Sequence, residues 1–317
     1  MRASSLSNLK VIDLLNKHFV PVVARNGDYR EGGDAPADEK AAYQSLFRGF
    51  YRLSEQRGKS GGPPISVVTV HAYVLSPDSE PLDSLHVAEA ARPARLIEML
   101  ERSVKLLGTA AGEPIVAPAP RAAAPACDAD SLALHMTARY VTRDGDDETP
   151  YVPTLGTDRS GQWGALPSEE WVVLDRPQWR KLLPAAGVTA GDAWPLDREA
   201  TAELLRRFYP PSEDNNVEHN RIDEQSLAAR VISVKDGVAL VRLEGRLKMK
   251  HAFYPGRDDQ YFVTAALVGF MQVDAAGSKR EAVRIHSFEL VTVGANYGDG
   301  RQNLPFGVAV RAARRGE

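Results

Sequence analysis

The sequence predicts two domains, an α/β domain followed by an α+β domain built on an antiparallel sheet. Three observations carry this reading. At 317 residues the chain is longer than one hydrophobic core usually serves. Residues 113–130 hold Pro114, Pro118, Pro120 and Pro125 among alanines, with too little apolar surface to bury and too few amide donors to pair. The hydrophobic periodicity also changes across that span, from short helical and strand patterns before it to long period-two alternation after it. The boundaries are therefore set at 1–112 for the first domain, 113–130 for an Ala/Pro-rich linker, and 131–317 for the second domain.

In the first domain, Leu9, Ile12, Leu15 and Phe19 share one face of a helix for which Ser7 or Asn8 supplies the N-cap. Val20 to Val23 form a short continuous apolar run, the pattern of a buried parallel strand. Gly, Asp and Pro crowd residues 26–38 into a loop, after which Ala42, Leu46, Phe50 and Leu53 mark a helix over 39–56. Residues 65–75 are rich in β-branched side chains and read as a strand. Ser76-Pro77-Asp78-Ser79 is turn chemistry leading to a second strand near Leu82. Leu96, Met99, Leu100, Val104 and Leu107 close the domain with an amphipathic helix.

One stretch of this domain, Val11-Ile12-Asp13-Leu14-Leu15-Asn16-Lys17-His18-Phe19-Val20-Pro21-Val22-Val23, resembles the opening of the thioredoxin-like superfamily. In that branch a C-x-x-C motif precedes a helix ending in L-N-x-x-F-V and a buried strand. The resemblance spans roughly residues 4–107 and includes the strand-turn-strand and the closing helix. It implies a thioredoxin-like core without its first strand. The matching upstream stretch here is Ser4-Ser5-Leu6-Ser7-Asn8, and the cysteine position falls before Met1. The family's cis-proline position falls near Val70 or His71, and Pro64 lies too far upstream to replace it. The resemblance thus implies a redox-inactive relative, or a thiol-disulfide oxidoreductase whose C-x-x-C lies upstream of Met1.

Beyond the linker the pattern is strands with two short helices. Asp175 caps a helix over 176–183 with Pro177 in its first turn, and Asp197 caps one over 198–208 that Pro210-Pro211 stops. From Ser226 onward a meander follows: a strand over 227–234, a hairpin turn at Lys235-Asp236-Gly237, and a long strand over 238–251. In the long strand Val241, Leu243, Leu247 and Met249 point one way, and Arg242, Glu244, Arg246, Lys248 and Lys250 the other. One face is core and one is wet, as in an antiparallel sheet covered on one side. Residues 261–273 and 282–293 form a further pair around Ala275-Ala276-Gly277-Ser278, and 306–310 a last strand. Limited proteolysis should nick 113–130 first, because its proline-interrupted backbone has no ladder to protect it. A first cut inside 65–75 or 238–251 would place the boundary elsewhere.

Chemistry-bearing motifs are sparse. Thiol redox work needs a reactive thiolate and a second cysteine to resolve the mixed disulfide, and the chain has one cysteine, Cys127, in the linker. That count also excludes an intramolecular disulfide framework and a multi-cysteine zinc site. The seven histidines contain no H-E-x-x-H or H-x-H pair, so no metal site is expected. The oxygen-rich run 212–224 lacks the central glycine and glutamate register of a calcium loop and reads as solvated. Gly58-Lys59-Ser60 has the letters of a phosphate loop, but Pro63-Pro64 blocks the helix that should follow. Trp163, Trp171, Trp179 and Trp194 read as staples of the second domain's core.

The charge balance, 39 basic against 42 acidic residues, leaves −3 and no global field toward nucleic acid or an anionic membrane. No stretch reaches the ~20 apolar residues of a membrane span. The N-terminal residues have no apolar core of a signal peptide. A cytoplasmic location is expected, or export if the true N-terminus lies upstream. No cofactor is expected. What remains is the stripe of Arg242, Arg246, Lys248 and Lys250, about 7 Å apart along one strand face and relieved in its own strand by Glu244 alone. Arg284 and His286 could add to it. The stripe is a candidate docking surface for a protein partner or an anionic ligand, against the plainer reading of a wet sheet face whose cations pair with acids on neighbouring strands. The expected function is a non-enzymatic protein-binding or scaffold role. The alternatives are the oxidoreductase above and a carrier of an apolar or anionic ligand in the second domain.

Overall fold

The structure, a computed structural model, describes residues 5–24, 28–29, 32–61, 71–113, 124–141, 167–184, 187–210, 217, 220–251, 261–275, 283–299 and 303–313. The chain mixes helix and sheet and divides into two compact units, Met1–Pro118 and Ala119–Glu317. Among the described residues no helix is long and apolar enough to cross a membrane.

In the first unit, α1 (Leu9–His18) starts at Asn8, whose side chain accepts hydrogen bonds from the amides of Lys10 at 3.0 Å and Val11 at 3.3 Å. Lys17 and His18 in its last turn complement the helix dipole. There follow α2 (Ala37–Lys59), the antiparallel hairpin of β1 (His71–Leu75) and β2 (Pro81–His86), the single-turn α3 (Val87–Ala90) and α4 (Pro93–Leu107). Leu96, Met99 and Leu100 of α4 bury together with Val11 and Val74, and Leu15 and Phe19 pack against them. Residues 62–70, the first part of the strand expected at 65–75, lie outside the described residues.

Two expectations for this unit need correction. Val20, Val22 and Val23 are not a buried strand; they are 74%, 81% and 90% exposed, and no described strand pairs with them. A short apolar run encodes extended backbone, but not the neighbour whose ladder would bury it. The inward face of α2 carries Tyr43, Leu46, Phe47, Phe50 and Leu53, while Ala42 is exposed. Aromatic contacts decide that rotation: Tyr43 meets Phe47 at 4.9 Å, and Phe47 and Phe50 meet Tyr73 at 5.6 and 4.6 Å between ring centroids. Finally, Gly58-Lys59-Ser60 closes α2, with Ser60 as its C-cap. A helix's carbonyl end repels phosphate, so the triplet fails as a phosphate loop for a second reason.

The second unit consists of β3 (Leu132–Tyr140), β4 (Ser168–Leu174), α5 (Arg176–Arg180), β5 (Ala193–Pro195), α6 (Arg198–Leu205), β6 (Asn220–Lys235), β7 (Val238–His251), β8 (Phe262–Asp274), β9 (Ile285–Gly298) and β10 (Asn303–Ala312). Its eight strands form one antiparallel sheet in the order β4-β3-β10-β9-β8-β7-β6-β5. From β6 to β10 each strand pairs with the next, and β10 then pairs with β3. The β6–β7 turn uses Asp236 at φ 51° and Gly237 at φ 78°, the two positive angles of the hairpin geometry that Asp-Gly favours.

One face of the sheet carries the core. Leu134, Met136, Val241, Leu243, Met249 and Phe288 are buried there together with Trp179, Leu205, Phe208 and Tyr209 from the helical segments. Asp175 caps α5 through a reciprocal bond with Gln178, and Asp197 caps α6 by accepting from the Ala200 amide at 2.9 Å. Trp179 and Trp194 staple this core, donating to the carbonyls of Asp130 at 2.8 Å and Leu182 at 3.1 Å. Trp171 does not: it lies on the other face, stacked on His135 with ring centroids 4.7 Å apart. Trp163 lies outside the described residues.

The strand before the Asp-Gly turn is longer than its hydrophobic pattern suggests. It begins at Asn220, so residues 220–224 of the oxygen-rich run are strand rather than loop. Pairing with β7 and bonds from its polar side chains to α6 hold this part in place. The Asn220 amide nitrogen donates to the Arg206 carbonyl at 2.6 Å, and that of Gln225 to the Arg198 carbonyl at 2.7 Å.

Candidate functional site

β7 lies between β6 and β8, so each outward side chain has a fixed neighbour on both sides. Val241, Leu243, Leu247 and Met249 are buried, and Arg242, Glu244, Arg246, Lys248 and Lys250 point outward. Arg242 sits opposite Arg230 on β6 and Phe270 on β8. Arg246 sits opposite Ser226 and Ala266, Lys248 opposite Glu224 and Thr264, and Lys250 opposite Arg221 and Phe262.

These neighbours divide the stripe. Arg242 reaches Glu244 at 2.7 Å along its own strand, and Lys248 reaches Glu224 at 3.3 Å across to β6. Among the described residues, Arg246 and Lys250 form no ion pair, because the register puts no acid opposite either. Arg284 and His286 do not extend the stripe. The His286 Nε2 lies 2.6 Å from Asp274 Oδ1, beside the far end of β7 where Asp274 pairs with Val238.

Burial pushes the Asp274 carboxyl up, but the hydrogen bonds from His286 and the Arg284 amide, with the charges of both residues, outweigh it and hold the group below its ordinary range. A depressed carboxyl stabilises the fold above its unfolded pKa and loses that contribution as pH falls through the folded value. Asp274→Asn should therefore flatten the acid limb of the stability profile while costing less than about 1 kcal/mol at neutral pH. Urea midpoints taken from neutral to acid pH measure this; parallel profiles for the two proteins would refute it.

The outward face continues beyond the stripe, and sequence reasoning missed its centre. Phe270, Val291 and Val293 are 41%, 41% and 52% exposed. Register places Val268 between Glu244 and Val291, Ala266 between Arg246 and Val293, and Ala309 of β10 beside Val291. An apolar strip of small side chains thus runs across β8, β9 and β10. The signal was in β8 itself: Val263, Ala265, Leu267 and Met271 alternate with Ala266, Val268 and Phe270, so both faces of that strand are apolar. Strands patterned this way are usually covered on both sides.

A concavity of about 820 Å³ lies between α6 and the start of β6, lined by Lys181, Arg198, Glu199, Glu203, Arg206 and Arg221 among others. Several of its charges are already matched locally, Lys181 with Glu199 at 3.4 Å and Arg221 with Asp223 at 3.0 Å. Among the described residues no group of three or more His, Cys, Asp or Glu side chains is placed to hold a metal ion. Cys127 is exposed. Comparison with protein-family models, with curated proteins and with solved structures finds no match for this chain.

Proposed function

We propose that the protein is a non-enzymatic binding or scaffold protein that holds an acidic partner on the outward face of its second unit. The observation that carries the reading is the pair of outward cations, Arg246 and Lys250, for which the register supplies no acid. Lone solvated cations are common, but here they stand in a row with Arg242 and Lys248 and beside exposed apolar side chains. A row of cations sums its potential locally even on a chain of net charge −3. The first unit would then be a thioredoxin-like module without the redox pair. The antiparallel β1–β2 hairpin running into α3 and α4 supports that part, as does the single cysteine of the chain.

Arg246→Glu with Lys250→Glu in the full chain tests the reading, with fluorescent polyglutamate as the probe. The double reversal should weaken low-salt binding about tenfold or more. Wild-type binding should fade as salt approaches 1 M, where the screening length is about 3 Å. Unchanged binding by a variant with wild-type circular dichroism would leave the stripe as the wet side of a sheet.

A further inference from the structure

The surface just described has a shape as well as a charge. Its apolar strip is three strands wide, β8 to β10, which is about 10 Å at the spacing of a sheet. Cations border it on both sides. Arg246 and the Glu244-paired Arg242 stand on β7, and on the other side Arg311 stands on the outermost strand of the strip, β10, opposite Glu289, with Arg139 beyond it on β3. From β7 to β3 is four strand spacings, about 19 Å. An α-helix with its side chains is 10–12 Å across. A helix laid along the strands would cover the strip and bring its two flanks within reach of both cationic borders.

We infer that this face docks an amphipathic helix of another protein, with an apolar stripe against Val268, Val291, Val293 and Ala309 and acidic residues along both flanks. This inference rests on the proposed binding role and names its partner. The charge arrangement selects this occupant. A second copy related by a two-fold axis lying in the plane of the face would set cations over cations, whether the axis runs along the strands or across them. An acidic polymer would satisfy the borders but leave the doubly apolar β8 uncovered. An anionic bilayer would find one large side chain to insert, Phe270, beside the small ones of the strip, and membrane binding scales with the apolar area buried.

The experiment uses the full chain and a labelled 18-residue peptide with leucine and alanine at i, i+3, i+4 and i+7 and glutamate on both flanks. Its comparators are a scrambled peptide of the same composition, polyglutamate of equal length, and phosphatidylglycerol vesicles. The amphipathic peptide should bind at least tenfold tighter than the scrambled peptide or polyglutamate. Val293→Asp should weaken it at least tenfold. Val293→Ser, which adds no charge, should weaken it several-fold, and this keeps the test valid if the aspartate variant fails to fold. Equal binding of all three peptides would overturn the helix as occupant while leaving the acidic-partner reading intact. Vesicle binding sensitive to Val293, without peptide binding, would overturn it in favour of a membrane. A dimer in sedimentation equilibrium that Val293→Ser dissociates would overturn it in favour of a second copy. Binding to none of these probes, with no dimer, would remove both the inference and the reading beneath it.

Discussion

Gly269→Val should unfold the second unit, at a cost of about 3 kcal/mol or more. Gly269 is a buried position in β8, on the core side of the sheet between Leu267 and Met271. A Cβ there would collide with the Glu289 carbonyl oxygen and come within 3.0 Å of the Leu290 Cα and Cδ1. The obstacle is mainly backbone of β9, held by its own ladder, so relief requires the two strands to separate. Gly245 in β7 is placed likewise, with the Ser226 carbonyl and the Leu227 Cα in the way of a side chain. Gly58→Ala is the control of opposite sign: nothing lies within 4 Å of a Cβ there, and the residue is in α2. Alanine should stabilise that helix by about 0.5–1 kcal/mol. Thermal unfolding followed by far-ultraviolet circular dichroism compares the three proteins. A Gly269→Val variant with wild-type β signal and midpoint would refute the close approach.

Asp83→Ala should destabilise the first unit by about 2–3 kcal/mol. Asp83 is 5% exposed on β2. Its carboxylate accepts from Arg102 Nε at 3.0 Å and Nη2 at 2.5 Å, from Arg57 Nη1 at 3.4 Å, and from the Ser84 amide at 2.9 Å. Arg57 also donates to the Leu82 carbonyl at 2.8 Å. One carboxylate therefore joins α2, β2 and α4. Removing it takes the carboxylate from Arg57, leaves Arg102 with Glu98 at 3.6 Å, and empties the space between three elements. Both guanidinium groups retain solvent contact, which keeps the cost below that of a fully buried pair. Asp83→Asn keeps the volume and some acceptor capacity and should cost less than alanine. Urea denaturation measures both, and a loss under about 0.5 kcal/mol for alanine would show that the arginines find other partners.

How far residues could be placed from sequence depended on whether their environment was local. The alternation of β7 was legible because each outward charged residue, Glu244 included, is separated from the next by one inward residue, whatever lies beside the strand. The Asp236-Gly237 turn was legible because both residues tolerate positive φ. The first part of β6 was not, because residues 220–226 carry a single apolar side chain, Ile222, too few to show an alternation. Pairing with β7 and the bonds of Asn220 and Gln225 to α6 hold them as strand, and these partners are distant in sequence. Val20 to Val23 failed for the complementary reason. Their side chains are apolar, but burial is a property of the neighbour, and no described strand is there. Trp171 was assigned to the core by its type, whereas its place in β4 puts it opposite His135 on the outward face.

For the candidate site the same division holds. By itself the sequence determined that Arg242, Arg246, Lys248 and Lys250 share a face, since a strand's period of two requires it. Only the tertiary structure decided which of them are neutralised. Glu224 reaches Lys248 because β6 and β7 pair in one register, and a slip of one residue would have turned it to the other face. The apolar strip was decided in the same way. Val268, Val291 and Ala309 become neighbours only when three separate strands align, because side-by-side contact in a sheet is set by pairing between strands rather than by order along the chain.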